Sequence, residues 1–489
     1  MPFLLPVTDL GITFNLDCNS SKSGMDKINE TKFNVNNIGY VGAIRLDSES
    51  VPNLNFGFSY NRIKSFNRHY IGSVGDIPTS MSNYIADGFV NVPGYVASDL
   101  YWTDDFDPYN QQPYAPWAAI TTFDMPTKTD GYVGIINAED GIMKGMYLFD
   151  EATGKPITNG NAYYEVDERG HADEYNIAFG GNIANKVYFG LDFGILDLDY
   201  RSFQSYEEDL NNAYIMADDN DLFSSPMTSD NTAADWGLYN YLHTEGTGVN
   251  FKLGLIWRPT QALRVGAAFH TPTYYDIRDT YYHEASLKAY QNDNQLYSAE
   301  KGSNDGYDGS FEYTIKTPWR FMGSLAGVIG MSGIISFDYE YVANQTMRIG
   351  DAQGNDYYDV TQNVKSYFKP SHIIRLGGEY RVNPNWSLRA GYSYKTTQVE
   401  KGVDNYECNI ATAGTNPTYQ YDNTVQHITC GLGYHYKSFY TDLAYVHQIR
   451  ESVYNAFSPI NDEYGYEPNV SADVKDNNNR ISLTLGVRF

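Results

Sequence analysis

The segment Arg480–Phe489 alternates without a break: Ile481, Leu483, Leu485, Val487 and Phe489 share one face, and Arg480, Ser482, Thr484, Gly486 and Arg488 the other. A period of two predicts a strand with one apolar side. The same pattern sets Val249, Phe251, Leu253, Leu255 and Trp257 against Asn250, Lys252, Gly254 and Arg258. After a turn at Pro259-Thr260-Gln261 it returns through Leu263, Val265, Ala267 and Phe269 against Arg264, Gly266 and His270. Ile374, Leu376 and Tyr380 alternate with Arg375, Gly377, Glu379 and Arg381. Beyond Asn383-Pro384-Asn385, Leu388, Ala390, Tyr392 and Tyr394 alternate with Arg389, Gly391, Ser393 and Lys395.

The polar faces decide the environment. A soluble sandwich shows the same alternation, but these segments run to about ten residues and carry Trp257, Trp386, Tyr436 and Phe439 at their turn ends. Length and aromatic ends together fit membrane-spanning strands with an interfacial girdle. A lipid-facing Arg or Lys near the midplane costs roughly 2–4 kcal/mol. Arg264, His270, Arg375, Glu379 and Arg389 are therefore expected to face a polar lumen. No run of eighteen apolar residues occurs, which excludes a helical span.

Strands are predicted at 8–17, 34–46, 53–62, 173–182, 186–199, 247–258, 262–270, 310–326, 333–343, 365–382, 386–397, 424–437, 439–450 and 479–489, an even count of fourteen. The connections alternate between short turns (47–52, 183–185, 259–261, 327–332, 383–385 and 438) and long segments (18–33, 63–172, 200–246, 271–309, 344–364, 398–423 and 451–478). Short turns belong to the periplasm and long loops to the outside. The expectation is an all-β protein, a single transmembrane antiparallel barrel domain over 1–489 with a large extracellular loop insertion at 63–172. In the third strand, Arg62 would face lipid unless a bulge near Asn61 reverses the phase or the strand has already left the membrane.

Composition changes the picture in two places. The net charge of −26, from 60 acidic and 34 basic residues, argues against nucleic acid as a partner. The acidic surplus gathers in predicted loops, as at 104–107, 218–221 and 304–309. None of these matches a calcium-loop spacing, so they read as solvated loops and no metal is expected. The loop 63–172 is rich in aromatics, and a disordered loop would have few. Trp102, Phe106, Tyr114 and Trp117 are its candidate ligand-binding residues, since hydrophobic sites are concave and aromatic-lined. No GxSxG, HExxH, P-loop or CxxC motif is present, so neither catalysis nor a cofactor is expected. The histidines sit singly and read as ordinary polar positions. Cys18, Cys408 and Cys430 read as free thiols, with a Cys18–Cys408 bridge as the alternative. Met1-Pro2-Phe3-Leu4-Leu5-Pro6 has no basic n-region and too short an apolar core for a signal peptide.

Segments 248–259 (Gly-Val-Asn-Phe-Lys-Leu-Gly-Leu-Ile-Trp-Arg-Pro) and 263–273 (Leu-Arg-Val-Gly-Ala-Ala-Phe-His-Thr-Pro-Thr) resemble strands of the FadL/TodX-type outer-membrane transporters of long-chain fatty acids and other hydrophobic compounds. Asp338-Tyr339-Glu340-Tyr341-Val342 and the terminal Leu485-Gly486-Val487-Arg488-Phe489 are similar too. The resemblance implies a monomeric fourteen-stranded channel in a Gram-negative outer membrane, surrounded by lipid and lipopolysaccharide. It further implies capture of a small hydrophobic molecule by extracellular loops and release through the wall at a kinked third strand. The family's N-terminal hatch has no counterpart in Met1–Val7, the residues before the first predicted strand. A general porin, a secretion-system barrel partner and a surface adhesin are the alternative functions.

Overall fold

The computed structural model describes residues 8–90, 136–137, 142–143, 145–217, 227–302, 309–404 and 416–489, apart from Met25, Asp47, Glu49, Glu151, Met331, Glu463 and Tyr464. Fourteen strands close an antiparallel barrel: β1 (Asp9–Ser23), β2 (Asp26–Arg45), β3 (Asn53–Ser65), β4 (Asn159–Ile183), β5 (Val187–Asn211), β6 (Thr232–Trp257), β7 (Leu263–His270), β8 (Trp319–Ile329), β9 (Gly333–Ala343), β10 (Ser371–Arg381), β11 (Trp386–Lys395), β12 (Tyr419–Tyr436), β13 (Phe439–Asn455) and β14 (Ser471–Arg488). Each strand pairs with the next, and β1 closes on β14 from Asp9↔Arg488 to Ser23↔Val474. Closure removes both sheet edges and satisfies every ladder, as a hydrocarbon environment requires.

The apolar face points outward. Leu191, Phe193 and Ile195 on β5, Val249 to Trp257 on β6, and Leu483 and Leu485 on β14 are all exposed on it. From Val249 to Trp257 the band covers nine residues, which at about 3.3 Å each is roughly 30 Å of strand. A barrel tilt shortens that to a membrane-spanning height. Inward positions are small in the lower half: Gly180, Gly190, Gly254, Gly377, Gly391 and Gly431 all fall in that phase. The tight turn after β4 places Ala184 and Asn185 at φ 52° and 55°, the left-handed pair that matches strand twist.

Several predicted loops are not loops. The β4–β5 hairpin pairs for its full 25 residues per strand. At 3.3 Å per residue that is about 80 Å, far beyond the bilayer. The segment 18–33 is a hairpin turned at Gly24 (φ 58°), and 274–291 with 294–302 forms another around Asn292-Asp293. Most of 200–246 is strand as well. Conversely, 365–382 begins as helix α2 (Tyr358–Tyr367), and 310–326 breaks at Thr317-Pro318. Pro272 interrupts the neighbouring strand at the same height, because proline supplies no ladder donor.

Above the membrane the strands enclose a core. Tyr70, Met81, Tyr164, Tyr206, Trp236 and Phe457 are buried there, with α1 (Met81–Val90) laid across. Glu208, on the inner face of β5, accepts a hydrogen bond from the Met81 amide at 2.8 Å and another from the Ser80 hydroxyl. Burial pushes its carboxyl up to about 7.

Candidate functional site

Beneath this cap lies a cavity of about 660 Å³, within the 300–1,000 Å³ of small-molecule pockets. Its walls mix Ile63, Phe66, Leu198, Ile277 and Ile315 with Lys64, Lys395 and Arg450. Two β-bulges shape it. In β3 the register shifts between Arg62 and Lys64, so Ile63 is the extra residue. Arg62 therefore stays on the outer face, where its Nε donates to Asp173 at 2.8 Å and Tyr60 Oη donates to the same carboxylate at 2.9 Å. Lys64 swings inward. The irregularity expected near Asn61 thus falls two residues later, and ion pairing rather than phase reversal accounts for Arg62. In β12 a second shift, between Asp422 and Thr424, sits beside Asp422, which accepts from Arg450 at 2.6 Å. A bulge re-aims side chains in this way.

Lys64 and Lys395 carry no ion pair among the described residues, and Lys32 donates to the Asn67 side chain, whereas the arginines of the cavity are held by carboxylates: Arg68 by Asp476 at 2.7 Å, Arg450 by Asp422 and Arg480 by Asp17 at 2.5 Å. Carboxylates line the cavity too: Asp17, Asp422 and Asp476 are in those pairs, Glu30 and Glu168 are not, and Asp422 lies near both Lys64 and Lys395. In a chain of net charge −26, a lining of six lysines and arginines against five carboxylates is an exception. The Arg68 guanidinium forms its ceiling, 4.7 Å from the Tyr70 ring centroid and donating to Ser452 at 2.6 Å. Directly above, Tyr164 stacks on Tyr454 at 4.1 Å. Lower in the barrel the interior is ionic: Lys252 meets Glu174 at 2.6 Å, and Glu340 accepts from both Arg320 and Arg375 at 2.6 Å.

The residues expected in the lumen lie as follows. Arg375 belongs to the Glu340 cluster. Arg389 bridges Glu379, at 2.8 Å, and Asp442. Arg264 and His270 occupy the inward phase of β7, and His270 shares a smaller cleft with Lys252. Trp102, Phe106, Tyr114 and Trp117 lie outside the described residues, as does Cys408; Cys18 and Cys430 are free thiols. The described part of 63–172 does pack, through Phe66, Tyr70, Met81, Tyr147 and Tyr164. Sequence reasoning missed Lys64, Asp422 and Arg450, and placed Lys395 on a polar face without singling it out. The phase break at Arg62–Ile63 was the one signal that led toward Lys64.

A family model described as Outer membrane protein transport protein (OMPP1/FadL/TodX) matches residues 163–449. No curated protein matches the sequence. Similar solved structures include a Pseudomonas aeruginosa FadL homologue (10% identity, 99% of this chain and 90% of that one, TM-score 0.46). The Pseudomonas putida toluene transporter TodX follows at 10% identity, the same coverages and a TM-score of 0.42. The Ralstonia pickettii toluene transporter TbuX is 13% identical, covering 99% of this chain and 89% of its own, at a TM-score of 0.38. A closed fourteen-stranded barrel with an outward apolar band, matched by that model over more than half its length, belongs to the OMPP1/FadL/TodX family of outer-membrane transport proteins.

Proposed function

We propose that the protein passes amphipathic hydrophobic molecules, with long-chain fatty acids first among them, across the outer membrane of a Gram-negative bacterium. The observation that carries this reading is the cavity under the cap, where apolar walls meet Lys64 and Lys395, neither of them in an ion pair among the described residues. An alkyl chain gains by leaving water at about 25 cal/mol per Å² of buried surface. A carboxylate can pair directly with Lys64 and Lys395, and charge-assisted hydrogen bonds are about twice as strong as neutral ones. A neutral hydrocarbon would leave both ammonium groups desolvated and unpaired, an expensive outcome. The apolar core across the extracellular end favours selective entry over the open, charge-lined passage of a general porin.

The test compares a fatty acid with its methyl ester on the purified barrel, by displacement of a fluorescent fatty acid analogue. The acid is expected to bind tighter, and Lys64→Met with Lys395→Met to remove that preference while leaving ester binding intact. Equal affinity for acid and ester in the wild-type protein would replace a fatty acid with a neutral hydrocarbon as the cargo. No saturable binding of either would remove the transporter reading in favour of a secretion or adhesion role.

A further inference from the structure

On the outer face of β5 and β6, past Ile195 and past Thr247, the apolar band gives way to charge. Asp197 and Asp199 follow on β5; Glu245 and His243 follow on β6. Asp199 stands directly opposite Glu245 in the ladder, and like charges so placed repel. The neighbouring cations leave that repulsion largely uncompensated. Arg278, opposite Glu245 on the other side, is bound to Glu312 at 2.5 Å, and Arg201 reaches Asp199 only at 3.4 Å. The surrounding concavity, about 690 Å³, adds Asp197 and Asp276.

Between the two carboxylates sits His243. Its Nε2 is 3.4 Å from Asp199 Oδ2 and 3.7 Å from Glu245 Oε1, and the three donor atoms all lie within 4.8 Å of one another. Those spacings are too long for good hydrogen bonds, which fall at about 2.7–3.2 Å. They are close to what an ion imposes: tetrahedral ligands at 2.0–2.2 Å from a zinc centre stand roughly 3.3–3.6 Å apart. The imidazole, mostly covered at 19% side-chain exposure, is held in place by the strand.

We propose that Asp199, His243 and Glu245 form a binding site for a zinc-type divalent ion on the outer rim of the barrel. An imidazole with two carboxylates suits zinc better than magnesium or calcium, which prefer all-oxygen ligands. Three protein donors leave one position open toward the surroundings. The ion links β5 to β6 above the membrane and neutralises the opposed Asp199 and Glu245. No motif spacing in the sequence announces the site, because its ligands come from two strands more than forty residues apart.

The test uses the full-length barrel in detergent, purified on a tag free of histidine and stripped with chelator. Calorimetric titration with zinc chloride is expected to show one saturable site. His243→Ala and Asp199→Asn should each weaken it at least tenfold, while His435→Ala, at the opposite end of the barrel, should leave it unchanged. Heat-dependent gel mobility reports whether each variant has assembled, and zinc-edge X-ray absorption on the loaded wild-type protein should show a nitrogen-containing ligand shell. Absence of saturable binding would overturn the site. So would binding unaffected by His243→Ala, or equal affinity for magnesium, since either would mean attraction to acidic surface alone.

Discussion

The two halves of the β4–β5 hairpin are built from one continuous ladder, yet they bury opposite faces. In the lower half the outward positions are Phe193, Ile195, Ile177 and Phe179, all exposed, and the inward ones are Asn176, Ala178, Gly190 and Asp192. In the upper half the inward positions are Ala162, Tyr164, Val166, Tyr206 and Leu210, all buried, and Glu165, Asp167, Glu207 and Asp209 point outward. The backbone is unchanged; the solvent is not. Where hydrocarbon surrounds the sheet, apolar side chains face out and the interior is polar. Where water surrounds it, the same strands revert to the arrangement of a soluble protein. The inversion falls between Ile195 and Asp197, within a single step of the pleat.

The largest effect expected from breaking this comparison is Trp236→Ala. Removal of a buried Trp costs about 3–5 kcal/mol, and the loss should fall on the cap alone. Limited proteolysis of the extracellular region should accelerate while the barrel keeps its heat-dependent gel mobility. If that mobility disappears as well, cap and barrel are one cooperative unit and the division is wrong. Next comes Leu485→Arg, which sets a charge on the lipid face at about 2–4 kcal/mol and should reduce assembly. Thr484→Arg, one step along, enters the polar interior beside Thr13, with which Thr484 shares a 2.8 Å hydrogen bond, and should assemble well. Equal yields from the two variants would contradict the assigned faces.

Glu208 sharpens the comparison through pH. Its folded value near 7 exceeds its ordinary 4.5, so the protonated form stabilises the cap. That stabilisation is complete below about 4.5 and is lost as pH rises through about 7, with a slope of at most about 1.4 kcal/mol per unit. The cap should therefore resist protease better at pH 5 than at pH 8, and Glu208→Gln should flatten the difference. A Gln variant that keeps the full pH dependence would point to another group. The smallest effect belongs to Glu312→Gln. Its pair with Arg278 is more than half exposed on both sides, and such pairs contribute under about 1 kcal/mol. A cap destabilised by more than that would mean the rim charges act as a network.

These contrasts also explain what the sequence disclosed. The fourteen spans were legible because hydrocarbon holds its face to apolar residues: Ile481 to Phe489 alternates strictly, and Val249 to Trp257 departs from alternation only at Ile256, on the other face. The cap strands obey no such rule. The inner face of β5 carries Glu208 between Tyr206 and Leu210, and the inner face of β4 mixes Gly160 with Ala162, so both segments passed for loop. The cavity was less legible still. Lys64 becomes an interior residue only through an extra residue in its own strand, and it meets Lys395 and Arg450 only when strands distant in sequence curl round. A one-dimensional pattern records the phase of a residue, not its neighbours across a lumen.

The seam between β1 and β14 has a kinetic consequence. Thr13 and Thr484, which share a hydrogen bond there, lie 471 positions apart in the chain, so the contact that completes the cylinder is almost the least local one available. Closing so long a loop costs chain entropy before any contact repays it, and folding slows accordingly. Until the seam forms, β1 and β14 are two unpaired edges, the kind of surface that recruits other chains into aggregates. Insertion into the bilayer is therefore expected to be slow and close to all-or-none, with no stable partial cylinder along the way.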